Sequence, residues 1–158
     1  MTTTRTRSDI GRSNRRRGAD AERRVAGYLR DHGFPHAERA VRTGYSTDER
    51  TVADPGDLTG TPGLVWQVKD TQRWDVPKWM TETTRQAEEA NADLGILVIR
   101  RRGQATAGLW WALLPLADLG YLYGGRNMLG FRNRTAPVWL QLDALCPLLL
   151  AAGYGEWA

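Results

Sequence analysis

Cysteine and histidine are nearly missing from this chain: Cys146, His32 and His36 are the full complement in 158 residues. A lone cysteine excludes an intramolecular disulfide and any Cys/His zinc pattern, and two histidines argue against a histidine-based metal centre. Long hydrophobic runs are missing too. The longest, around Leu148-Leu149-Leu150-Ala151-Ala152, falls far short of the roughly 20 apolar residues that cross a bilayer. The first residues are rich in Thr and Arg with no apolar stretch, so nothing there reads as a signal peptide. These absences lead us to expect a soluble cytoplasmic protein with no membrane partner and no small-molecule cofactor.

What is present is ordinary for a globular protein. Hydrophobic residues make up 41% and charged residues 25%, and the length allows one domain whose core needs no covalent staple. No internal repeat or linker divides the chain. The formal charge of +4 is unevenly placed. In the first 17 residues Arg5, Arg7, Arg12, Arg15, Arg16 and Arg17 stand against Asp9 alone, while the rest carries 16 basic and 17 acidic residues. This divides the chain into a flexible basic arm, 1–16, and a single domain, 17–158. Such an arm contacts phosphates by counterion release; the plain alternative is a solubilising tail.

Periodicity gives the element order α-β-β-β-α-β-β-(α)-β-α, an α/β chain with a mixed sheet flanked by helices. The first helix is expected from about Gly18 to Asp31, with Glu22, Val25, Ala26 and Leu29 on one face and Gly33 ending it. A carboxylate on an apolar face is costly unless it is paired or holds a cation; a helix-start acid is the bland alternative. A strand through Glu38–Arg42 follows. Thr61-Pro62-Gly63 is a turn signal, and Leu64 to Lys69 reads as a buried strand with Gln67 and Lys69 on one face and Trp66 and Val68 on the other. The turn should pair the Asp57 segment with this strand as an antiparallel hairpin. A second helix is expected over Asp75–Ala92 with Trp79, Thr83, Gln86 and Ala90 on its inner stripe. Strands follow at Leu94–Ile99, Leu109–Leu114 and Val138–Leu142, a short helical stretch at Leu116–Tyr123, and a last helix at Ala144–Ala152 interrupted by Pro147.

Three stretches carry chemistry: Glu22, Asp57 within Gly56-Asp57-Leu58-Thr59-Gly60, and Gln67-Val68-Lys69. Two acids plus an amide oxygen and a main-chain carbonyl are hard oxygen donors that suit magnesium. Asp57 is the best direct ligand, with Glu22, the Gln67 amide and the Val68 carbonyl completing the set. Lys69 would orient the attacking water or stabilise the oxyanion of a phosphodiester under attack. An amide at Gln67 in place of a carboxylate removes one negative charge, which leads us to expect one catalytic metal per active site, Mg2+ with Mn2+ as substitute. Read singly, Asp57 is also a common turn residue, and Gln67 and Lys69 could line the wet face of an edge strand.

A helix-borne Glu, then an Asp before a hairpin, then (E/Q)-x-K on a strand resembles the PD-(D/E)XK nucleases. The closer likeness is to their Holliday-junction resolvase branch, the archaeal enzymes and related proteins of actinobacteria and their phages. Gly18-Ala19-Asp20-Ala21-Glu22-Arg23-Arg24 with Leu29 and Gly33-Phe34 is similar to that family's opening helix. Arg42-Thr43-Gly44-Tyr45-Ser46 is similar to its basic loop, and Gly56-Asp57-Leu58 and Val65-Trp66-Gln67-Val68-Lys69-Asp70 match its metal motifs. Trp79, Gln86-Ala87 and Leu94–Ile99 continue the likeness, which covers about Arg17 to Gly103. Glu is more usual than Gln at position 67, although Gln-x-Lys occurs in Mrr-type restriction nucleases.

The resemblance implies a restriction-endonuclease-like fold, catalytic Glu22, Asp57, Gln67 and Lys69, and a homodimer whose two active sites match the two-fold symmetry of a four-way junction. It also implies a location in the host cytoplasm if the protein is phage-encoded. DNA contacts are expected from Arg15, Arg16, Arg17, Arg42, Ser46, Arg73, Lys78, Gln86 and Arg101. The leading expectation is a Mg2+-dependent endonuclease that resolves branched DNA. The alternatives are a Mrr-like or other nuclease acting on duplex DNA, an inactive nuclease fold that holds branched DNA without cutting, and a structural partner protein using its tryptophans. Of the seven tryptophans, Trp66, Trp110 and Trp139 are expected in the core. Trp74 and Trp79 could stack on bases or form a subunit interface. The Arg100-Arg101-Arg102 turn and a loop with Arg126, Arg132 and Arg134 are further phosphate-contact candidates.

Overall fold

The computed structural model describes residues 6–41, 56–124 and 135–157. Their element order is the expected one: α1 (Arg7–Asp31), β1 (Glu38–Arg39), β2 (Leu58–Thr59), β3 (Leu64–Lys69), α2 (Val76–Glu89), β4 (Leu94–Ile99), β5 (Trp111–Pro115), α3 (Leu116–Leu122), β6 (Pro137–Gln141) and α4 (Leu142–Ala151), with a 3-10 turn at Ala107–Leu109. The Ala107–Leu109 turn takes up the start of the stretch expected as the fifth strand.

β3, β4, β5 and β6 form a four-stranded sheet in that order, with β3 and β4 parallel and the β4–β5 and β5–β6 pairs antiparallel. α2 makes the crossover between the parallel pair, as such a connection requires. β1 and β2 form a separate two-stranded antiparallel sheet, Arg39 opposite Leu58.

Two helical layers enclose the main sheet. On one face Ala21, Val25, Ala26 and Leu29 of α1 and Leu142, Leu145, Cys146 and Leu149 of α4 pack with Trp66, Val68, Ile96, Val98, Ala112 and Leu114. On the other, α2 brings Met80, with Val76 and Trp79 beside it, onto Leu97, Ile99 and Leu113. Gly95 admits α2 this closely: a Cβ there would lie 2.8 Å from the Thr83 carbonyl oxygen. The buried residues of α2 are Met80, Thr83 and Ala87, so its inner stripe is rotated from the expected one. Pro147 lies inside a continuous α4 and does not break it.

α1 begins at Arg7, well before the expected start at Gly18. Thr6 caps it, its hydroxyl accepting from the Asp9 amide while the Asp9 carboxylate accepts from the Thr6 amide, a reciprocal capping box. Residues 7–16, expected as a flexible arm, are thus helical. Burial starts only at Ala21, so the basic first half of α1 extends about 21 Å beyond the core at 1.5 Å per residue. Among the described residues no helix is long and apolar enough to cross a membrane.

Candidate metal and nucleic-acid site

Asp57 joins the edge of β3 to the segment after β1 through two main-chain contacts. Its amide donates to the Trp66 carbonyl at 2.7 Å, and its carbonyl accepts from Ala40 at 2.9 Å. Its carboxylate Oδ2 accepts from the Val68 amide at 2.7 Å. The chain is brought there by Gly56, at φ +84°, where a Cβ would sit 2.5 Å from the Trp66 carbonyl oxygen. The expected antiparallel hairpin is not formed. Gly56 and Trp66 make an isolated bridge of parallel type, while β2 takes β1 as its antiparallel partner. The left-handed glycine turns the strand off the ladder and delivers the Asp57 carboxylate to an amide that the edge of the sheet would otherwise leave to solvent.

Gln67 and Lys69 do share a face of β3, opposite Trp66 and Val68. Gln67 is buried, its amide 3.0 Å from the Thr83 hydroxyl of α2. That hydroxyl also lies 2.7 Å from the Trp79 carbonyl. One hydroxyl hydrogen cannot serve both acceptors fully. The Gln67 amide oxygen accepts from that hydroxyl, which the Trp79 carbonyl shares. The Lys69 ammonium stands 5.8 Å from the Trp79 ring centroid, a cation–π distance.

Glu22 sits on the other side. α1 packs against the Trp66 and Val68 face, and the Glu22 carboxylate is paired with Arg39 of β1 at 2.5 Å, the glutamate side chain only 17% exposed. A carboxylate on this face needs a partner or a cation, and Arg39 is the partner. Glu22 is linked to the Asp57 segment through Arg39, which lies opposite Leu58, whereas Gln67 and Lys69 turn toward α2. Among the described residues, no three His, Cys, Asp or Glu side chains gather in a group that could hold a metal.

Of the expected donors, the Asp57 carboxylate is joined to β3 through the Val68 N–H, while the Gln67 amide is engaged by Thr83 and the Glu22 carboxylate by Arg39. One carboxylate suits at most a single, largely hydrated ion such as Mg2+. It does not fit a two-metal centre.

A nearly buried acid that the sequence did not single out sits in an ion-pair network. The Asp70 side chain, 2% exposed, accepts from Arg100 at 3.0 Å and from Arg102 at 3.2 Å. Arg100 also lies 3.6 Å from Asp20 of α1 and 5.3 Å from the Trp110 ring centroid. This network joins α1 to the C-terminal ends of β3 and β4. It removes Arg100 from the expected free basic turn and leaves Arg102 half engaged. The available signal was the position of Asp70 right after a buried strand, where a lone acid needs a partner.

Of the other candidate contacts, Arg15, Arg16 and Arg17 are exposed on α1, and Arg73 and Lys78 are exposed around the start of α2. Lys78 is 3.9 Å from Glu82. Gln86 is partly buried on α2. Arg101 donates to the Leu109 carbonyl at 3.0 Å and lies over Trp111, 4.3 Å from the ring centroid. Arg42, Ser46, Arg126, Arg132 and Arg134 lie outside the described residues. Trp66 and Trp110 are fully buried as expected, but Trp139 is not a core residue: it is 39% exposed on the edge strand β6. Cys146 is buried, and burial with the nearby Asp143 pushes its thiol up to about 12, which removes it as a nucleophile near neutral pH.

Fold and site together define a mixed α/β domain with one acid held at the edge of a strand that carries a lysine. Compared with protein-family models, curated proteins and solved structures, the chain matches none of them.

Proposed function

We propose that this protein is a Mg2+-dependent, structure-selective DNA endonuclease with a restriction-endonuclease-like fold, acting in the cytoplasm as a homodimer on branched DNA. The observation that carries the proposal is the Asp57 carboxylate, fixed 2.7 Å from the Val68 amide on the strand that presents Lys69. An acid so placed at the edge of the strand supplies hard oxygens, and the lysine supplies a positive charge for the phosphate.

Asp57, the Val68 carbonyl and the Gln67 amide oxygen would hold the ion. When bound, it lowers the pKa of a coordinated water and neutralises phosphoryl oxygens. Lys69 orients the attacking water or stabilises the charge that develops on the phosphorane oxygens. Trp79 keeps the ammonium close to the strand. Glu22 stays paired with Arg39 on the α1 side of the sheet and supports the Asp57 segment through the β1–β2 pairing. The arginines of α1 grip the backbone without reading bases, as recognition by shape requires.

The test is incubation of labelled four-way junction, linear duplex and single strand with Mg2+, Mn2+ or EDTA, for wild type and Asp57→Ala. Metal-dependent cutting of the junction alone, lost in Asp57→Ala, is the expected result. Equal cutting of linear duplex favours a Mrr-like nuclease. Tight junction binding with no cutting in any metal contradicts nuclease activity. It favours the second reading, a branched-DNA-binding protein, which draws on the engagement of Gln67 by Thr83 and of Glu22 by Arg39.

A further inference from the structure

The face of the sheet that carries Gln67 and Lys69 continues across the molecule into an aromatic surface. In the strand register Lys69 is level with Ile99 and Trp111, and Gln67 with Leu97, Leu113 and Trp139. The two rows run from β3 to β6 on one face. At about 4.8 Å per strand, Trp111 lies roughly 10 Å and Trp139 roughly 14 Å across the sheet from the Lys69–Gln67 strand.

Trp74, just before α2, stacks on Trp139 with ring centroids 5.9 Å apart at 29°, and Trp111 meets Trp139 edge-on at 6.0 Å. Trp74 is 46% and Trp139 39% exposed. Two large stacked rings open to solvent are unusual on a monomer surface and mark a binding face. The Trp74 indole N–H is already used, donating to the Thr71 carbonyl at 3.1 Å. That bond fixes the ring and leaves its π surface, not its polar edge, as what it offers a partner.

The charges around this surface select the partner. Arg101 covers one side of Trp111, Arg73 is exposed next to Trp74, and Lys69 stands at the far end of the same face. Asp75, next to Trp74 in sequence, accepts from the Lys78 amide as the cap of α2. Aromatic rings set among cations suit a ligand that is flat and apolar on its faces and anionic along its backbone. Unpaired nucleic acid has that chemistry.

We propose that Trp74 and Trp139, with Arg73 and Arg101, form a stacking platform for the unpaired bases of a single-stranded segment lying next to the phosphodiester at Asp57 and Lys69. The placement of the segment rests on the nuclease reading; the platform itself does not. A DNA branch exposes unstacked bases, and a platform on the same face as the metal site captures them and sets which phosphate reaches Lys69.

The test is titration of the full chain with fluorescein-labelled oligo(dT) and with blunt duplex, in EDTA, followed by anisotropy. Wild type should bind the single strand, and Trp74→Ala or Trp139→Ala should weaken it roughly tenfold or more while changing duplex binding little. Trp139→Phe should recover most of the loss, and the salt slope should stay unchanged because the substitution leaves every phosphate-binding cation in place. Absence of single-strand binding by wild type, or equal affinity in folded tryptophan variants, overturns the platform. Conversion of a wild-type dimer to monomer by Trp74→Ala and Trp139→Ala, seen by light scattering, overturns it in favour of a second copy on this face. Failed cleavage with intact, tryptophan-dependent oligo(dT) binding sinks the nuclease reading alone.

Discussion

Gln67 is the residue at which the chemistry of the site is most exposed to test. Its amide is buried against Thr83, and a neutral group tolerates that position where a carboxylate needs a countercharge. Gln67→Glu should therefore fold less stably without metal, by about 1–3 kcal/mol for a desolvated, underpaired carboxylate. That corresponds to roughly 2–12 °C in Tm at this chain length. Magnesium should restore much of the loss by binding the folded state, and cleavage should be kept, with tighter metal binding. Thermal melts of wild type and variant with and without Mg2+ check this. A variant Tm that ignores the metal would mean that position 67 lies outside the metal's reach. The sequence made Gln67 and Lys69 legible because alternation along a strand fixes which side chains share a face. It could not make Asp70 legible as an ion-pair hub, since Arg100 and Arg102 reach it only through the parallel pairing of β3 with β4.

At the scale of elements, the strong periodic segments were readable and their ends were not. β4 and β3 have the expected limits because an apolar run bounded by turn residues leaves little choice. The expected antiparallel hairpin failed for a local reason. Gly56 adopts a left-handed φ and hands the chain to Asp57 after one bridge, so β2 is left to pair with β1. Trp139 was misplaced because its alternation is that of a buried strand, while β6 is the edge strand of the described sheet, paired there with β5 alone. The early start of α1 was hidden by its composition. Consecutive arginines read as a tail, yet arginine is a good helix former and the Thr6–Asp9 box supplies the start. Deleting residues 1–16 should leave stability nearly unchanged, because burial begins at Ala21. It should weaken binding to all DNA forms alike and lower the slope of log affinity against log salt by about 0.9 for each phosphate no longer neutralised. Titrations at several salt concentrations read this out; an unchanged slope would leave this part of α1 a structural extension only.

Across the whole molecule the parts have separate tasks. The α1–α4 side of the sheet is a continuous apolar core with the Asp20–Arg100–Asp70 network closing one end. The α2 side is thinner and carries the Gln67–Lys69 pair and the open tryptophans. Asp57 stands where the two sides meet, at the margin of β3. The central claim is that this margin holds one hard cation. Titration of the protein with Mn2+, with free ion followed by electron paramagnetic resonance, tests it most directly. The account predicts one ion per wild-type chain and none at the same concentration in Asp57→Ala. Wild type without bound manganese, or an Asp57→Ala chain that binds as well as wild type, would contradict it.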